Sequence, residues 1–296
     1  MKKNIAASVR ARLANLAKAE GVALDFMIER FAIGRILCKL SEQPEGKQFV
    51  LKGAQLFSLW ADSPHRPTRD IDFLGYGEPS EDKMEAVFHD LLAKPHDVDD
   101  GLIWGDIKAG PIREDQRYGG VRVIVPVSLA GAKVTVQIDI GFGDSITPEP
   151  SEYEWKEVRD FPSARLLAYP AETVVAEKFE AAVNLEMDNS RMKDFFDLDW
   201  LARHQEFDAG ILGLAIRNTF ERRETPMPDE TPVFLTTEFS LDPMKQTQWS
   251  AFLRKGRLDG DSLEEVIERL KTFLAPVYGS VKPEPTMRWV PGKGWE

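Results

Sequence analysis

Asp70 and Asp72, separated by one residue in RDIDFLG, offer the clearest chemistry in the chain. Alternate side chains of a strand share a face, so the pleat projects both carboxylates together while Ile71 and Phe73 turn to the core. Like charges held side by side repel unless a cation lies between them, and hard divalent ions with oxygen ligands, chiefly Mg2+, answer that need. An isolated pair of this kind is more often two solvated acids on an edge strand, so the surrounding residues must decide. In VTVQIDIGF, Val134, Val136, Ile138 and Ile140 alternate toward the core, leaving Thr135, Gln137 and Asp139 on the opposite face. Asp139 is thereby a third candidate metal-binding carboxylate, or simply an acid at a strand end. Three such acids on adjacent strands can hold two Mg2+ ions, one activating an attacking hydroxyl and one orienting a triphosphate.

Phosphate recognition has separate candidates. Lys52 and Gly53 end a short strand, and Gly53 lets backbone approach a phosphate while the following helix presents free N–H groups. In PAETVVAEKFEAAV, Lys178 falls on the apolar stripe of Ala171, Val174, Val175, Ala182 and Leu185. Its ammonium needs an anionic partner, either a triphosphate or a neighbouring acid toward which it snorkels. In RMKDFFDLDWL, Asp194 and Asp197 share a helical face beside Arg191 and Lys193, a pattern that also describes an exposed ion-pair ladder. Arg66 and Arg69 flank the acidic strand, placed either to bind phosphate or as surface charges. His65, His89, His96 and His204 lack ligand spacing, and no Walker loop, nucleophile elbow or dinucleotide fingerprint is present.

The elements that must carry these residues follow from periodicity. Two helices fill the first forty residues, with Leu24, Ile28 and Phe31 at helical spacing. QFVL reads as a buried strand turning into a helix through AQLFSLW, and DIDFLGYG reads as the next strand, followed by a helix from about Ser80 to Leu92. VRVIVPVSL and AKVTVQIDIGF, separated by Ala130 and Gly131, form the clearest hairpin. Beyond Pro150 the pattern is helical, with helices opening at Pro170, spanning Met192 to Ala202, and running from Ser262 to Leu274 behind a capping box of Ser262 and Glu265. Thr225 to Ser240 reads as a long loop, and the tail from Pro283 as extended. The expected architecture is α/β (α+β): a mixed-sheet lobe with an N-terminal helical cover over residues 1–160, then a mainly helical lobe over 161–296, sharing one cleft.

Composition narrows the function. With 296 residues, 43% of them hydrophobic, a sizeable core is available, and no apolar run is long enough for a membrane span. The single Cys38 excludes an internal disulfide and a cysteine zinc site; together with the absence of an export signal this points to the cytoplasm. A net charge of −11 argues against wrapping nucleic acid by bulk electrostatics, so an RNA partner must meet a local basic patch.

The ordered set FVLKGAQLF, RPTRDIDF, VQIDIGFGD, VVAEKFEAAV and RMKDFFDL resembles the AbiEii/AbiGii-type (MenT-like) type IV toxin–antitoxin nucleotidyltransferases of the polymerase-β-like superfamily. The likeness runs from Phe49 to Leu198 and continues in the helices from Trp249 to Pro276. It implies a nucleotidyltransferase-type sheet lobe, metal binding by Asp70 and Asp72, and an essential acid at Asp194, with Asp139 falling in the family's third-acid region. It further implies a phosphate-facing Gly53 and triphosphate contact by Lys178, with Mg2+ as cofactor and a nucleoside triphosphate as co-substrate; Lys52, Arg69 and Asp197 stand beside them as nucleotide-binding candidates. The acceptor it favours is a tRNA 3′ end, whose modification blocks aminoacylation and so translation. A cognate antitoxin and a monomeric enzyme away from membranes complete the expectation. The alternatives are nucleotidylation of a protein or of a small molecule such as an aminoglycoside, and a catalytically inert nucleotide-binding relative. One departure stands out: the family's turn commonly has two glycines followed by Ser or Thr, where this chain has Gly53, Ala54 and Gln55.

Overall fold

The computed structural model describes residues 4–61, 65–95, 98–112, 119–155, 161–278 and 286–296, so His96 and Pro283 lie outside the described residues. The chain divides into two compact units, Met1–Gly143 with Ser151–Ala168, and Asp144–Pro150 with Tyr169–Glu296.

The first unit is built on a mixed sheet. Its elements are α1 (Ile5–Glu20), α2 (Leu24–Ser41), β1 (Phe49–Lys52), α3 (Phe57–Trp60), β2 (Asp70–Gly75), α4 (Glu81–Ala93), β3 (Leu102–Trp104), β4 (Lys108–Pro111), β5 (Gly120–Leu129), β6 (Ala132–Phe142), β7 (Ser151–Trp155) and β8 (Ala164–Ala168). The strand order is β3-β5-β6-β2-β1-β8-β7, with β4 also paired to β5. β2 runs parallel to β6 and β1 parallel to β8, while the remaining pairs are antiparallel.

The β5–β6 hairpin turns at Ala130 and Gly131, whose φ angles of 45° and 85° match a two-residue turn needing positive φ at both positions. That turn fixes the register from Leu129↔Ala132 through Gly120↔Gly141. Alternation then buries Val121, Val123, Val125, Val134, Val136, Ile138 and Ile140, and leaves Arg122, Gln137 and Asp139 half-buried on the other face. On the apolar face α2 packs over β6 and β8, and α4 over β4 and β5. Phe88 of α4 meets Phe49 of β1, which in turn meets Phe73 of β2. Each fully buried side chain of this size contributes about 1.5–3 kcal/mol, so the helix cover holds the sheet and presents the polar face outward. Cys38 lies in this core, where burial pushes its thiol up to about 11.

The second unit is mainly helical: α5 (Ala171–Leu185), α6 (Met192–His204), β9 (Phe207–Asp208), α7 (Ala209–Arg222), α8 (Thr237–Ser240), α9 (Pro243–Gly256), α10 (Leu263–Leu274), β10 (Arg288–Val290) and β11 (Gly294–Trp295). Its core gathers Phe179, Phe195, Phe220, Phe234 and Phe239. α10 begins at the capping box of Ser262 and Glu265 and buries Leu263, Val266, Ile267, Leu270 and Phe273. The stretch expected as a long loop instead contains a 3-10 turn at Val233–Leu235 and α8, because Phe234, Leu235 and Phe239 are drawn into the core. β10 and β11 form a hairpin that extends onto β9, giving the tail a folded end.

Candidate active site

The polar face of the sheet assembles its candidates by register. Lys52 of β1 lies opposite Asp72 of β2, Asp72 opposite Asp139 of β6, and Asp139 opposite Arg122 of β5. Directly paired residues point to one side of a sheet, so these four form a row of charges with a cation at each end and two acids between. Asp70 occupies the same face one pleat away, opposite Gln137.

Gly53 closes this row against Asp72. Its φ is +71°, a left-handed conformation that suits glycine, and a β-carbon there would sit 2.0 Å from Asp72 Oδ2. The glycine is thus required because the carboxylate lies where a side chain would be. After it comes a 3-10 turn, Gly53–Leu56, and the single helical turn of α3, rather than the longer helix expected from AQLFSLW. So short a helix has little dipole to offer an anion. Gln55, where the family commonly has a hydroxyl residue nearby, is buried and donates from Nε2 to the backbone carbonyl of Asp70 at 3.1 Å. That bond ties the turn to the acidic strand.

Two predicted residues have other partners. Arg69 precedes β2, and alternation sends it to the face opposite Asp70. There it bonds Glu29 Oε1 of α2 at 3.2 Å and lies over the Phe26 ring at 5.9 Å. Glu29 is buried, and its Oε2 has no hydrogen-bond partner among the described residues. Burial raises the Glu29 carboxyl, Arg69 opposes that rise, and Asp25 and Asp70 add to it. Asp139 accepts a bidentate bond from Arg122, Nε to Oδ1 and Nη2 to Oδ2 at 2.8 Å each, and a third donor, Gln137 Nε2, reaches Oδ2 at 3.2 Å. Among the described residues no group of three or more His, Cys, Asp or Glu is arranged to hold a metal ion.

In the second unit, α5 and α6 bring the other motifs together. Lys178 Nζ lies 2.5 Å from Asp194 Oδ1 and 2.9 Å from Asp197 Oδ2, and Arg191 Nε lies 2.9 Å from Asp194 Oδ2. The lysine on the apolar stripe therefore finds acids, and Asp194 and Asp197 are buried instead of forming an exposed ladder. Burial works to raise the Asp194 carboxyl, but Lys178 and Arg191 outweigh it and hold the group below its usual value. Asn189 prepares the N-terminus of α6. Its Oδ1 accepts from Arg191 N, and its carbonyl accepts from the buried Lys245 ammonium at 3.0 Å. Arg223 joins Asp144, Glu177 and Glu180, so the GFGD end is bound to the helix that carries Lys178.

A family model described as the nucleotidyl transferase AbiEii toxin of type IV toxin–antitoxin systems matches residues 35–275. The chain belongs to the AbiEii family.

It is accordingly a nucleotidyl transferase of the toxin–antitoxin type. Among solved structures it is similar to JHP933 from Helicobacter pylori, with 18% identity over 82% of this chain and 88% of that one and a TM-score of 0.49. A candidate nucleotidyltransferase from H. pylori aligns at 19% identity over 80% and 87% of the two chains, with a TM-score of 0.44. No curated protein sequence matches. No helix among the described residues is long and apolar enough to cross a membrane.

Nucleotidyl transferases draw on a nucleoside triphosphate and a divalent metal. The donors present in this AbiEii chain fit that requirement. Mg2+ is commonly held by one or two carboxylates, with substrate phosphates and water completing the octahedron. Asp70 and Asp72 supply two hard oxygen donors from one strand face, and the Gly53 cradle leaves the Asp72 carboxylate room that a side chain would fill.

Arg122, Gln55, Glu29 and Asp144 were not anticipated from sequence. Arg122 carried a usable signal: it is the polar member of an apolar alternation, and counting back from the Ala130–Gly131 turn pairs it with Asp139.

Proposed function

We propose that this AbiEii toxin transfers a nucleoside monophosphate from a triphosphate to the 3′ hydroxyl of tRNA and so blocks translation. The observation that carries the reading is the Asp70–Asp72 face closed by Gly53. In the reaction the acceptor oxygen forms a bond to the α-phosphorus in line with the bond that breaks, and pyrophosphate leaves. A bound divalent ion would polarise the phosphoryl oxygens and offset charge on the leaving group.

The chain's own residues divide the remaining work. Asp70 and Asp72 hold the metal-bound triphosphate, with Gln55 fixing the strand end from which Asp70 projects. Lys52 and Arg122 place positive charge at either end of the acidic row, which favours phosphates over the protein's net charge of −11. Within the helical unit, Asp194 and Asp197 hold the Lys178 ammonium between them. A cognate antitoxin is the expected protein partner of such a toxin.

Expression in a bacterium tests the reading. Wild type is expected to arrest growth with an early fall in amino-acid incorporation, and Asp72→Ala is expected to do neither. Equal growth and equal incorporation for the two would count against it.

A further inference from the structure

We propose that Asp139 is not a metal ligand but the anchor of Arg122, and that Arg122 is a nucleotide-phosphate contact. The inference rests on the nucleotidyl-transfer reading above and assigns Asp139 differently from what sequence spacing suggested.

The carboxylate of Asp139 is already occupied. Arg122 takes both oxygens through Nε and Nη2 at 2.8 Å, and Gln137 takes Oδ2 again at 3.2 Å. A fork-on-fork pair of this kind is among the strongest side-chain interactions, and with Gln137 it takes three of the carboxylate's roughly four lone-pair sites. A divalent ion bound to the same group would also stand close to a guanidinium that stays charged at any working pH. Asp70 and Asp72 instead project from the strand that Gly53 and Gln55 brace.

Arg122 is well placed for an anion. Its partner Asp139 pairs in register with Asp72, so two strand spacings of about 4.8 Å each separate the backbones of Arg122 and Asp72 on one face. A long side chain and a chain of phosphates together span that distance. The fork fixes the guanidinium plane through its Nε–Nη2 edge, and the side chain is 31% exposed. Fixing the plane in advance lowers the entropy lost when a phosphate is bound. Gln137, opposite Asp70 in register, then links the anchor to the acidic strand's neighbour.

Two readouts decide the matter: binding of Mn2+ alone, followed by the EPR signal of the free ion, and KM against kcat for the nucleoside triphosphate. Asp139→Asn is expected to keep Mn2+ affinity within about twofold of wild type, whereas Asp70→Asn loses it. Asp139→Asn and Arg122→Ala are each expected to raise KM about tenfold, the loss of one charge-assisted contact. Their combination should add little, because both remove one unit. Arg122→Lys, which keeps the charge but not the fork, should fall between and carries the test should Asp139→Asn unfold. Loss of Mn2+ by Asp139→Asn to the extent seen for Asp70→Asn would overturn the assignment, as would an unchanged KM in Arg122→Ala. A wild type that binds no Mn2+ and transfers no nucleotide would remove the transferase reading, and this assignment with it.

Discussion

The carboxylate of Asp72 occupies the space beside Gly53 where any other residue would carry its β-carbon, with Oδ2 2.0 Å from that point. The turn and the acidic strand are therefore one device: the first can take only glycine because the second projects its acid there.

Gly53→Ala is expected to act twice. A non-glycine residue at φ +71° costs about 1–2 kcal/mol, and the added methyl must displace the Asp72 carboxylate. A displacement of about 1 Å in a positioning group can lower turnover on the order of 100-fold. Thermal denaturation and a transfer assay check both effects, and a fully active, fully stable variant would contradict the geometry.

Asp72→Asn should separate stability from activity. Removing one of two like charges from a strand face relieves repulsion, so the melting temperature should hold or rise. Turnover should fall on the order of 1,000-fold, equivalent to about 4 kcal/mol of lost transition-state stabilisation. Mn2+ should raise the melting temperature of wild type and leave that of the variant unchanged, since only the wild type binds it. Differential scanning calorimetry with and without Mn2+ gives the comparison.

Lys178→Ala should unfold the helical unit more readily than a surface change would. It leaves Asp194 and Asp197 as buried carboxylates without their shared ammonium, a loss of about 3–5 kcal/mol for a buried ion pair broken from one side. Lys178→Met combined with Asp197→Asn should recover part of that stability while remaining inactive. Urea titration of the three proteins would show the order; equal midpoints for wild type and Lys178→Ala would refute the buried-pair account.

The acid limb of stability should trace to Asp194. Its folded pKa lies below its ordinary value, so the unfolded chain takes up the proton first. The stabilisation is therefore complete above the unfolded carboxylate pKa of about 3.9 and is lost as pH falls from there through the lower folded value. Melting temperatures should show no pH dependence from this group between about pH 7 and pH 5, then a decline below about pH 4 that Asp194→Asn reduces. A decline that begins near neutrality and vanishes in Asp194→Asn would reverse the sign of the assigned shift.

Local pattern carried much of this molecule. The alternation in VTVQIDIGF puts Asp139 on the polar face of its strand, and the apolar stripe of α5 marks Lys178 as a cation in need of an anionic partner. The stripe and capping box of α10 defined that helix to its ends. What escaped was non-local or weakly patterned. β8 reads ARLLA and is recognised only by its parallel pairing with β1, and β7 is a charged edge strand, SEYEW. α7 contains Gly210 and Gly213, which weaken a helical reading, and α9 is polar along much of its length. Arg69 was read as a neighbour of the acids because it is next in sequence, yet one step along an extended chain reverses the face. The identity of the acids that hold Lys178 depends on how α5 meets α6, which no window of either helix encodes.

Nucleotide transfer to tRNA, as proposed, depends on the acids of β2. Purified wild type and Asp72→Asn should each be incubated with total tRNA, Mg2+ and every α-labelled triphosphate in turn, and the RNA resolved by size. The account requires label in tRNA from at least one triphosphate with wild type and none with the variant. Label absent from RNA in every wild-type reaction, or present equally in both proteins, would contradict it.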